Sequence, residues 1–133
     1  MKKHKKNIVW RYFTALLFSF FLTAYAFGSG LSNKWRIEVS EGAKSDGTIS
    51  FLVSPESSDD IQVDVNVPKG TGENHIAKLI KKAMKEKLPK KRFHVERDDG
   101  EDVLVKKKHH SARFGLTLLS NDVKSVRIHL QKE

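Results

Sequence analysis

The chain has 133 residues, no cysteine, and 25 lysines and arginines against 16 acids, a formal charge of +9. That length excludes more than one ordinary domain, and the missing cysteines exclude a disulfide framework and a lipid-anchored N-terminal cysteine. The charge is unevenly placed: Lys2, Lys3, Lys5, Lys6 and Arg11 fall in an acid-free stretch of 26 residues, so the other 107 carry a net +4, a solubility charge and not a nucleic-acid binder's.

Residues 1–26 read as a signal peptide, with a basic head, an uncharged run from Tyr12, and small residues at Ala24 and Ala26 where a signal peptidase cuts. Residues 27–33 are expected to be a flexible linker and 34–133 a single domain, exported to the periplasm or secreted. Without cleavage the same stretch becomes a signal anchor that keeps its basic head in the cytoplasm and the domain outside.

Three alternating runs follow: Lys34–Ser40, Thr48–Ser54 and Ile61–Val67, the last with four β-branched residues on one face and three polar residues on the other. The spacing Ile76, Leu79, Ile80, Ala83, Met84, Leu88 then predicts a helix over 73–88, with Thr71 as N-cap and Pro89 as stop. Arg92–Arg97 and Asp102–Lys107 flank an Asp-Gly turn and read as a hairpin. Arg113–Leu119 and Val123–Gln131, joined by Ser120–Asp122, read as a second hairpin. The fold class is α+β: one mostly antiparallel sheet of six to seven strands with one amphipathic helix on one face.

Turning to chemistry, Lys78, Lys81, Lys82 and Lys85 share the helix face opposite the apolar stripe, and Lys90, Lys91 and Arg92 extend the charge past the helix. Lys106, Lys107 and Lys108 form a second basic segment. Such a field suits an anionic surface such as phosphorylated lipid, cell-wall polymer or extracellular DNA, and the expected partner is an envelope protein or an anionic envelope polymer or lipid. Nucleic acid is not expected, because Trp35, Phe51, Phe93 and Phe114 point inward by strand parity and leave no stacking platform. Membrane contact is expected only through an uncleaved anchor or peripherally. His94, His129 and the His109–His110 pair would suit a transition metal only if their strands were adjacent, and the acids of Asp98–Asp102 suit a hairpin tip better than a calcium loop. No metal or other cofactor is expected, and no framed nucleophile is found.

The element order over Thr48–Lys107, with Ile76-Ala77-Lys78-Leu79-Ile80 on its helix, resembles the small β-α-β modules of phage tail and bacterial surface-assembly proteins. The resemblance implies an interaction module and carries no site residues. The expected function is an exported, non-catalytic binding protein of the bacterial envelope. The alternatives are a secreted hydrolase inhibitor presenting Glu41–Gly47 or Ser54–Asp60, and a small metal enzyme built on the histidines.

Overall fold

The computed structural model describes residues 30–133; the expected leader and the start of the linker lie outside the described residues. The elements run β1 (Lys34–Ser40), β2 (Gly47–Pro55), β3 (Ile61–Val67), α1 (Glu73–Lys87), β4 (Phe93–Asp98), β5 (Asp102–Lys107), β6 (Phe114–Asn121) and β7 (Arg127–Lys132). The domain is α+β and every strand pair is antiparallel.

The strands make two sheets, not the single sheet expected: β4-β5-β1-β7 and β3-β2-β6. Alternation fixes which side of a strand is dry, but a second sheet covers that side as well as a helix does. Here Trp35, Ile37 and Val39 of β1 share one core with Phe51 of β2 and Val65 of β3. The helix α1 closes one side, packing against β3 of the smaller sheet and against β4, β1 and β5 of the larger. It buries Ile76, Ala77, Ile80 and Met84, and each of the larger three side chains contributes roughly 1.5–3 kcal/mol by leaving water.

Local signals at the helix ends are partly realised. Gly72, not Thr71, is the N-cap and makes no side-chain bond there. The Thr71 hydroxyl donates backward to Pro68 O at 2.6 Å instead, stabilising the turn that precedes the helix. At the other end Leu88 is extended and its N–H bonds Met84 O at 2.9 Å, as suits a residue before proline.

The β4–β5 hairpin forms as expected, with Asp99 and Gly100 both at positive φ (46° and 78°). The second expected hairpin does not form: β6 pairs with β2 and β7 pairs with β1. The reason lies in where the polar side chains of its turn are spent. Asp122 Oδ1 accepts the Thr48 N–H at 2.6 Å, while Asn121 accepts from Val123 N–H and donates to Val126 O. These bonds hold a corner that carries the chain from one sheet to the other, beside the similar crossing from β1 to β2. Lys44 N–H to Lys124 O (3.0 Å) ties the two crossings together. A Cβ on Gly47 would collide with Asp122 and lie 2.8 Å from Val123 Cγ2, so glycine is required where the crossings touch.

Two residues expected in the linker belong to the domain. Ser32 and Phe114 exchange both backbone hydrogen bonds, at 2.9 and 3.0 Å, and Asn33 O accepts from Lys107 N–H. Phe114 O also accepts the buried Trp35 Nε1–H at 2.9 Å, so the indole is satisfied while it bridges the sheets. Among the described residues no helix is long and apolar enough to cross a membrane.

Candidate functional site

Charged side chains occupy both faces of the four-stranded sheet, in different ways. On the face away from the core, β1 presents Lys34, Arg36 and Glu38. Arg36 Nη1 donates to Asp102 Oδ2 at 2.6 Å and Asp98 Oδ2 at 3.1 Å, and its other two nitrogens reach Glu133 at 3.1 and 3.3 Å. Beside it Lys106 pairs with Glu96 at 2.5 Å, and His94 Nε2 lies 3.2 Å from the same carboxylate. The hydrogen bonds from Arg36 hold Glu133 below the usual carboxylate range; Lys106 first and His94 second do so for Glu96. Reciprocally, Glu133 and then Asp102 raise Arg36 above its ordinary value. Leu104 points to this face yet is only 4% exposed, with Arg36 and Glu96 as its cross-strand neighbours. The stems of the ion network thus roof an apolar side chain.

The other arrangement lies between α1 and β4. Lys78, Lys81, Lys82 and Lys85 line an open depression of about 410 Å³ together with Glu86 and Arg97. That is five cations and one carboxylate. Lys85 also borders an adjoining depression of about 250 Å³, floored by Met84, Leu88, Phe93 and Val95 and rimmed by Lys90, His94 and Lys108. The two form one groove along the junction of helix and strand, with an apolar floor at one end. Among the described residues none of its lysines, nor Arg97, has an ion-pair partner.

The structure therefore divides the ten basic residues singled out in the sequence. Lys78, Lys81, Lys82, Lys85, Lys90 and Lys108 line the groove. Lys106 projects from the opposite face, paired with Glu96. Arg92 turns to the β2–β3 turn and donates to Ser58 Oγ at 2.5 Å. Lys91 is exposed and Lys107 half-buried, and neither lines the groove. Arg97 was missed, although the signal was present: it shares strand parity with Phe93 and Val95 and must face the helix side.

The other candidates separate. His94 on β4 and His129 on β7 lie on opposite edges of the sheet, so the three-histidine metal site is not assembled. His109 and His110 lie side by side in the β5–β6 link, ring centroids 4.1 Å apart and planes tilted by 59°. Asp98 and Asp102 serve Arg36; Asp102 is 8% exposed, and its Oδ1 has no partner among the described residues. Of the two loops offered for inhibition, Glu41–Gly47 is pinned: Ala43 is buried, its N–H bonding Thr71 O and its carbonyl accepting from Gly70.

No protein family, curated protein or solved structure matches the chain.

Proposed function

We propose that this is an exported, non-catalytic binding protein of the bacterial envelope that receives an anionic partner in the groove between α1 and β4. The observation that carries the reading is the gathering of Lys78, Lys81, Lys82, Lys85 and Arg97 around one depression without ion-pair partners. Like charges held together raise the local potential and repel one another, and a bound anion relieves that repulsion. The basic, acid-free head and apolar run at the N-terminus support export.

The test is binding of the full chain to two anionic polymers, polyglutamate and dextran sulfate, over a salt series. Binding is expected to fall steeply with salt. Replacing Lys78, Lys81, Lys82 and Lys85 by glutamate is expected to weaken it more than tenfold, since each lysine near an anionic surface contributes about 1 kcal/mol. Equal binding by both proteins at all salt concentrations would reject the reading. Export is checked separately: the mature product should begin at Phe27.

A further inference from the structure

We infer that the anionic partner is an extended acidic polypeptide segment that adds to the open edge of β4 as an antiparallel strand, with its acidic side chains in the lysine-lined groove. This rests on the anionic-partner reading above and adds the backbone of the partner to it.

The ladder geometry shows which groups β4 leaves unpaired. Val39 N–H bonds Glu101 O (3.2 Å) and Lys107 N–H bonds Asn33 O (2.9 Å), so the odd-numbered residues of β5 bond toward β1 and the even-numbered ones toward β4. Lys108 N–H to Arg92 O at 2.8 Å agrees. In an antiparallel pair, residues alternate between bonding one neighbour and facing the other. Given the register of Val95 with Val105, it is His94, Glu96 and Asp98 that bond β5, while Phe93, Val95 and Arg97 turn their backbone groups to the edge. Pro89 O takes the Phe93 N–H at 3.1 Å. The N–H and C=O of Val95 and Arg97 have no protein partner among the described residues; Arg97 is exposed and Val95 lines the smaller depression. Unpaired N–H and C=O groups along an edge are a template for a further strand.

A strand laid antiparallel on this edge places the side chains of its bonding residues on the same side as Phe93, Val95 and Arg97, which is the groove. There they meet Lys78, Lys81, Lys82 and Arg97 at one end, and Lys85, Lys90 and Lys108 over the apolar floor at the other. Its intervening side chains fall on the outer face beside Glu96 and Asp98, where further acids are repelled. The site therefore selects acids at alternate positions over the five residues from Phe93 to Arg97, about 17 Å of strand. A lipid headgroup or a sulfated polymer matches the charge but not the alternating donors and acceptors. Pairing of two copies edge to edge would bring the two lysine groups together, and lysines beside an edge discourage that association. The chain's own residues 1–29 contain no acid to offer.

The experiment uses the full chain and an end-blocked octapeptide of alternating threonine and glutamate, with two analogues N-methylated at every glutamate or at every threonine. The parent and the threonine-methylated peptide are expected to bind alike, and the glutamate-methylated peptide at least tenfold more weakly. Hydrogen exchange at the Val95 and Arg97 amides is expected to slow on binding. Equal binding of all three peptides, unchanged exchange at both amides, or binding of phosphatidylglycerol vesicles without binding of the parent peptide would overturn strand addition. Those results leave the anionic-partner reading standing, since that reading fails only if charge reversal leaves polymer binding unchanged.

Discussion

Arg36 has three carboxylates within 3.3 Å, whereas Arg97, on the same sheet but facing α1, has none at ion-pair distance among the described residues. The same contrast separates Lys106, paired with Glu96, from Lys85, which borders both halves of the groove and has no ion-pair partner among the described residues. Residue type does not distinguish them. On the outer face strand register sets Arg36 diagonal to Asp102 and Lys106 diagonal to Glu96, and their charge is consumed in holding the sheet surface over Leu104. In the groove the cations come from a helix face whose nearest strand supplies another cation. A basic residue is neutralised by carboxylates in the first setting and, among the described residues, stands without an ion-pair partner in the second.

The comparison is sharpened by variants that act on one region and spare the other. Ile80→Asp is the largest perturbation, because α1 is the common support: an unpaired carboxylate in the core should cost about 4 kcal/mol or more and abolish cooperative unfolding, removing groove and sheet together. Leu79→Asp should be milder, since Leu79 is only partly buried at the flank of the stripe. Next comes Arg36→Met. It leaves Asp102 nearly buried with neither oxygen bonded by a cation and should cost about 2–3 kcal/mol. Urea denaturation measures that loss, and polymer binding by the folded variant should be unchanged. A matching loss of binding would show that the two regions are coupled.

Much of this division was legible in the sequence, and its failures have particular causes. Parity along Arg92–Arg97 and Asp102–Lys107 already puts Lys106 and Arg97 on opposite faces; grouping lysines by proximity along the chain concealed it. The four runs at Lys34–Ser40, Ile61–Val67, Phe93–Asp98 and Asp102–Lys107 are nearly self-defining, because one dry face and a local turn specify each. The partners of β6 and β7 are not local. Asn121 and Asp122 look like turn formers, and they are, but Asp122 bonds Thr48, 74 positions away in the chain. No pattern within the segment encodes that contact. Nor does alternation say whether one sheet or two will form, since a helix stripe and a second sheet offer a strand the same dryness.

Acid probes the ion pairs of the outer face. Glu133 and Glu96 are both depressed below the ordinary value of 4.5, by Arg36 and by Lys106 respectively. A depressed carboxylate contributes stability that is full above its unfolded value and is lost as pH falls through the folded one. The melting temperature should therefore drop below about pH 4.5 in the wild type, and the drop should be shallower in Glu133→Gln and Glu96→Gln. A slope unchanged by either substitution would mean that the outer-face pairs do not carry the acid sensitivity.

The smallest effect on stability is expected where the effect on binding is largest. Lys78 and Lys82, and likewise Lys81 and Lys85, are four residues apart on one helix face, where like charges destabilise by roughly 0.2–0.5 kcal/mol per pair. Replacing all four by glutamine keeps good helix formers and removes both repulsions, so stability should rise by about 0.5 kcal/mol while salt-sensitive polymer binding is lost. A rise and a loss together are what a ligand-directed cluster requires: the free protein bears a cost that only the bound partner offsets. If glutamine at these four positions instead lowered stability by more than about 1 kcal/mol, the lysines would be holding the helix in place, as Arg36 holds the sheet, and the two regions would be the same device used twice.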